Sequence, residues 1–183
     1  MPAKKQVPKE MILDAALKLL KKQGYAAVNI KQLAKEIGCS TQPIYLSFSG
    51  MDELRNNLIP LAVAEFEKYM RFAEKDGVMR LYDINYIKFA NDEPHLFRFL
   101  FMRLNSFAEI KQALLPIIEQ SINELMSIYH ISHTEADALH DQLWMHAHGI
   151  ASMTATQFCD WDMNKAQRML SDCKKAFTKG YEA

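Results

Sequence analysis

Glycine and proline are scarce, six of each in 183 residues. So few chain-breaking positions exclude a many-stranded sandwich or barrel and favour long helices with short connections. No segment shows the apolar–polar alternation of a half-buried strand, and no internal repeat is visible. Long apolar runs are missing too. The longest, Leu58 to Ala64, spans seven residues and contains Pro60, far short of the roughly 20 that cross a bilayer. The stretch Met1 to Glu10 is polar, and the apolar triplet Met11 to Leu13 is cut by Asp14, so no secretory signal is expected and the cytoplasm is the expected location. The three cysteines, Cys39, Cys159 and Cys173, are widely spaced with no C-x-x-C pair. That excludes a disulfide framework and a thiolate zinc site. Signatures of catalysis are absent as well: no G-x-S-x-G, no phosphate-cradling glycine loop, no paired carboxylates in an apolar setting. An enzyme is not expected, nor is a cofactor.

Net charge is also lacking, with 22 basic and 22 acidic residues, which argues against indiscriminate nucleic-acid binding. The charges are unevenly placed, however. Residues 1–50 hold eight lysines and three acids, giving +5, and the remainder carries −5. An anion-facing first segment on an acidic body fits this split.

What is present is helical periodicity. From Pro8 to Gln23 the apolar positions Ile12, Ala15, Ala16, Leu19 and Leu20 recur at helical spacing, and Gly24 suits a stop. Asn29 is the natural N-cap of a helix from Ile30 to Ile37, with Gln32 in capping-box position. Gly38-Cys39-Ser40 breaks that helix. Ser40 is expected to cap the next, Thr41 to Ser47, where Pro43 is tolerated only in the first turn. Further helices are expected at Met51 to Lys75, with a kink at Pro60, and at Val78 to Ala90 and Pro94 to Arg103. Phe107 to Tyr129, with Pro116 inside, Thr134 to Phe158 and Asn164 to Lys179 complete an all-α chain of about nine helices.

The region of chemical interest is the pair of short helices around Gly38. Ala34 and Gly38 let two helices meet closely, and Leu33, Ile37, Ile44 and Phe48 supply apolar residues to hold them. The second helix then offers Thr41, Gln42, Tyr45 and Ser47 outward. Gln can bond adenine in bidentate fashion, and hydroxyls reach base edges or phosphates. An ordinary helical hairpin would satisfy the same spacing.

The residues Ile30-Lys31-Gln32-Leu33-Ala34-Lys35-Glu36-Ile37-Gly38-Cys39-Ser40, then Ile44-Tyr45-Leu46-Ser47-Phe48, then Met51-Asp52-Glu53-Leu54, narrow the choice. They resemble the amino-terminal domain of TetR-type repressors, whose pattern is an I-A-x-x-A-G-V-S helix-turn, an L-Y-x-H-F recognition helix and a K-x-x-L opening of the fourth helix. The helix carrying Ile12, Ala15, Ala16 and Leu19, with Gly24-Tyr25, matches too, so the likeness covers about residues 9–55. It implies a TetR-like fold: a three-helix helix-turn-helix DNA-binding domain over 1–50, followed by a helical effector-binding and dimerisation domain over 51–183. It also implies a homodimeric repressor on a palindromic operator of double-stranded DNA, with Lys31, Ser40, Thr41, Gln42, Tyr45, Ser47 and Ser49 at the DNA. Two positions depart from the pattern. Ser47 stands where histidine is usual, and Met51 where a lysine commonly meets a phosphate. Losing those cations weakens phosphate contact; Lys4, Lys5 and Lys9 are expected to compensate as a basic arm. The alternative is a helical dimer that binds small molecules or proteins with weakened DNA contact.

In the second part the resemblance is local. Trp144-Met145-His146-Ala147-His148-Gly149-Ile150 is similar to the tryptophan–histidine–glycine signature of some family members. The family's dimer is a four-helix bundle, and Ala147, Ala151 and Ala155, four apart on one helix, with Ala166, Leu170, Cys173 and Phe177 on the next, permit one. The same stripes also suit packing within one chain. Effector candidates, for an unknown and largely apolar small molecule, are Tyr82, Tyr86, Phe89, His95, Phe99, Met102, Trp144 and His148; any of them can instead be plain core. The histidines do not suggest a metal, because His140 and His148 lie two turns apart with Trp144 between them. Cys39 reads as structural or as a redox-sensing thiol. By the family's logic, an effector alters the separation of two recognition helices about one DNA turn apart, with the helix at Pro60 as the lever.

Overall fold

A computed structural model describes residues 7–71 and 80–181. Among these, the chain forms nine α-helices and one short 3₁₀ turn, with no strand. In order they are α1 (Lys9–Gln23), the 3₁₀ turn (Tyr25–Ala27), α2 (Ile30–Ile37), α3 (Gln42–Ser47), α4 (Met51–Arg71), α5 (Ile84–Asp92), α6 (Pro94–Phe101), α7 (Ser106–Tyr129), α8 (His133–Ala155) and α9 (Met163–Thr178). Two compact units divide between Ala64 and Glu65, inside α4.

In the first unit, α1 presents Ile12, Ala15, Ala16, Leu19 and Leu20, all buried, and packs against both α2 and α3. Each large apolar side chain so buried contributes about 1.5–3 kcal/mol. The ends of α2 are set locally. The Asn29 side chain accepts from the Gln32 N–H at 3.1 Å, which satisfies one of the helix's orphan donors. At the other end Gly38 takes φ 74°, and the N–H groups of Gly38 and Cys39 donate back to Lys35 and Ala34. This is a Schellman closure, which needs a left-handed residue. The next helix starts one residue later than expected. Thr41, not Ser40, is its N-cap, in right-handed helical conformation and without a side-chain cap bond, and Pro43 occupies the first turn. A proline there fixes φ and has no intrahelical N–H bond to lose, so it sets the helix start without a capping hydroxyl.

The second unit is built around α8, which packs against α5, α6, α7 and α9. Phe66, near the end of α4, stands edge-on to Tyr86, Phe89 and Phe101 at centroid distances of 6.0, 5.2 and 5.3 Å. Such edge-to-face rings add about 0.5–1.5 kcal/mol per pair beyond their buried area. A helix was expected from Val78, but residues 80–83 form a turn and α5 begins at Ile84, whose N–H donates to the Asp83 carboxylate. Arg80 in that turn forms a bidentate pair with Glu124 of α7, joined by the Tyr82 hydroxyl at 3.2 Å. The turn is thereby pinned to α7, and extending α5 backwards would break the pair. The stretch 72–75 of the expected Met51 to Lys75 helix, and residues 78–79, lie outside the described residues. At the start of α8, Ser132 and Glu135 form a reciprocal capping box.

Candidate DNA interface and ligand cavity

The exposed face of α3 is made by residues three and four apart, which share one side of a helix. Gln42 is exposed, Tyr45 is 64% exposed and Leu46 is 80% exposed, whereas Ile44 on the opposite side is 1% exposed. The helix therefore rests on Ile44 and offers an amide, a phenol and an isobutyl group to solvent. Of the other residues expected at DNA, Lys31 and Ser40 are exposed, and Thr41 and Ser47 are half-buried. Leu46 was not among the expected contacts. Its signal was available, because an apolar residue in register with Gln42 and Tyr45 rather than with Ile44 has no core to enter.

Ser49 is exposed but already engaged. Its N–H and hydroxyl both donate to the Glu53 carboxylate, at 2.7 and 2.8 Å. Lys9 donates to the same carboxylate at 3.1 Å and lies 4.7 Å from the centre of the Phe48 ring. These bonds, the Ser49 N–H first, hold the Glu53 carboxyl down to about 2. Lys9 thus belongs to the folded unit rather than to a free arm; Lys4 and Lys5 lie outside the described residues. At the opening of α4, where a phosphate-binding lysine was missing, the exposed side chain is Asp52, bonded to Arg55 at 3.3 Å. On the far side of the unit Lys18 pairs with Glu36 and lowers the Glu36 carboxyl.

The second unit holds a cavity of about 370 Å³ lined by Phe101, Ser106, Phe107, Ile110, Trp144, Met145 and His148. Of the eight effector candidates, it brings together only Trp144 and His148. Phe89 and Phe99 are buried core residues, and Arg103 lies 4.5 Å over the Phe99 ring. Tyr82 spends its hydroxyl on Glu124, and His95 pairs with Arg98. Met102, 42% exposed, follows α6 without lining the cavity. Tyr86 is fully buried behind the wall, with its hydroxyl 2.9 Å from His148 Nδ1. Burial raises the Tyr86 phenol and lowers the His148 imidazolium, so both are neutral near pH 7. Sequence spacing missed Phe101, Ser106, Phe107, Ile110 and Met145 because they sit on three helices whose convergence is tertiary.

The residues expected at a dimer interface divide. Ala147 and Ala151 are fully buried within one chain, Ala155 is 2% exposed and Leu170 is 8% exposed. Within the one chain these side chains are covered where α8 packs on α5, α6, α7 and α9. Cys173 remains half-buried and Phe177 exposed. The apolar residues that α8 leaves outward are instead Met145 and Met153, eight residues apart with Gly149 midway.

This domain has known relatives. Residues 12–58 match the bacterial regulatory proteins of the tetR family. No curated protein matches the sequence. The whole chain shares its fold with a transcriptional regulator from Rhodococcus sp. RHA1, at TM-score 0.65 and 14% identity over 97% of this chain and 99% of that one. A TetR-like transcriptional regulator from the same organism gives 0.60 and 16% over the same shares. NalD, the secondary repressor of the MexAB-OprM multidrug efflux pump in Pseudomonas aeruginosa, gives 0.51 and 16% over 90% and 93%. The fold is TetR-like throughout, and the tetR-family segment contains every residue of the α3 face.

Proposed function

We propose that the chain is a homodimeric transcriptional repressor that holds a palindromic operator through α3 and leaves it when a small, largely apolar effector enters the second unit. The observation that carries this reading is the outward Gln42–Tyr45–Leu46 face, inside the segment that matches the tetR family. Gln42 suits adenine, the Tyr45 hydroxyl a phosphate, and Leu46 a thymine methyl in the major groove. Thr41, Ser40 and Lys31 flank this face, while Ser49 acts on it through Glu53, fixing the α3–α4 turn. Dimerisation uses the exposed residues of α8 and α9, Met145, Met153 and Phe177, rather than the alanine stripe. Two half-site contacts then add on one two-fold operator.

Footprinting on DNA upstream of the protein's own coding sequence tests the reading. A protected palindrome is expected, with Tyr45→Phe weakening binding to every site and Leu46→Ala weakening it most at sites with thymine in the contacted step. No protection at low ionic strength would refute it. One observation favours a second reading, a helical binding module with weakened DNA contact. No cation stands on α3, Lys9 is bound to Glu53, and the side chain offered at the start of α4 is Asp52. A salt titration separates the two, since a DNA regulator loses affinity steeply as phosphate contacts are screened.

A further inference from the structure

The walls of the 370 Å³ cavity carry more information than its volume. Three of its seven lining residues are aromatic, and Phe107 and Trp144 face each other at 6.0 Å with their planes tilted by 40°. The volume is at the lower end of ligand pockets, which run from roughly 300 to 1,000 Å³. A flat two-ring molecule fits such a slot better than a long chain. No charged side chain lines it. The Arg103 guanidinium, in the turn before α7, is taken up by Glu109 at 2.7 Å and by the Phe99 carbonyl. An ionised ligand would lose its water and find no counter-ion.

The polar groups have a direction. The Trp144 indole N–H is buried and makes no hydrogen bond among the described residues. Among the described residues His148 Nδ1, 2.9 Å away, is the one acceptor within reach of the fully buried Tyr86 hydroxyl, and a buried O–H left without an acceptor is costly, so the hydroxyl donates its proton there. A neutral imidazole that accepts at Nδ1 carries its proton at Nε2. His148 lines the cavity, and its Nε2 has no protein partner among the described residues and is not sealed off. The wall thus presents a fixed N–H donor that asks for an acceptor.

Resting on the effector reading above, we infer that this cavity selects an uncharged, planar, two-ring aromatic compound carrying a hydrogen-bond acceptor, which takes the proton of His148 Nε2. The Tyr86 hydroxyl holds the histidine in that tautomer.

Calorimetric titration of the full chain at pH 7.5 with three probes tests this. Quinoline offers an acceptor, indole offers a donor at similar size and hydrophobicity, and 2-naphthoate is an anion. Quinoline is expected to bind about five-fold tighter than indole, the factor one neutral hydrogen bond supplies, and 2-naphthoate about 100-fold weaker than quinoline. His148→Phe should bring quinoline and indole within two-fold of each other. Equal or tighter binding of indole to the wild-type chain, 2-naphthoate as the tightest probe, or no binding by any of the three would each overturn the inference. The wild-type comparison decides it even if the variant does not fold. Because the titration contains no DNA, a failure of operator binding would be seen separately in the footprint.

Discussion

His140 shows what a single residue can cost. It is fully buried, both ring nitrogens lack a hydrogen bond, and the nearest carboxylate oxygen, on Asp141, is 3.6 Å from Nδ1. Burial holds its imidazolium below the ordinary 6.5. A folded state that resists protonation is stable above pH 6.5 and loses stability as pH falls below it. His140→Leu should therefore raise the thermal midpoint by relieving unpaired groups worth about 1–3 kcal/mol, and should flatten the stability profile just below pH 6.5. Glu53 titrates lower, because its folded value is about 2 against an unfolded 4.5. Its contribution is complete above pH 4.5 and fades as pH falls toward 2. Glu53→Gln is expected to lower the urea midpoint at pH 7, with the two midpoints converging near pH 2. Equal midpoints at pH 7 would show that the Ser49 and Lys9 contacts do not hold the turn.

At the scale of elements, the α2–α3 corner depends on one backbone angle. Gly38 sits at φ 74° with open space where a Cβ would go, so Gly38→Ala meets no clash and pays only for the left-handed conformation, about 1–2 kcal/mol. A denaturation experiment showing no change would mean that the corner relaxes. Leu33 of α2 is fully buried; Leu33→Ala should cost about 2–5 kcal/mol. The corner was legible in the sequence because caps and stops are local: Asn29, Gly38 and Pro43 each act within four residues of themselves. The turn before Ile84 was not legible. Asp83 caps α5 locally, but the pairing of Arg80 with Glu124, which pins the preceding turn, joins residues 44 positions apart.

At the scale of the whole molecule, the proposed homodimer makes a prediction. Ala147 and Ala151 are buried inside the chain, so the proposed dimer rests on the side chains that α8 and α9 leave outside. Met153→Lys is expected to shift sedimentation from dimer to monomer without altering helix content, whereas Ala151→Lys should unfold the chain. Unchanged sedimentation of Met153→Lys would place the interface elsewhere.

The sequence by itself determined the helical class, both ends of α2 and the match to the tetR family, because these follow from periodicity, capping and a compact motif of consecutive residues. Tertiary structure alone decided which aromatic residues became core and which became wall. Phe97, wholly buried, and Phe101, on the cavity, carry the same side chain one turn apart on α6. Only the convergence of α6, α7 and α8 separates them, since burial depends on what stands opposite a residue and not on the residues beside it in the chain.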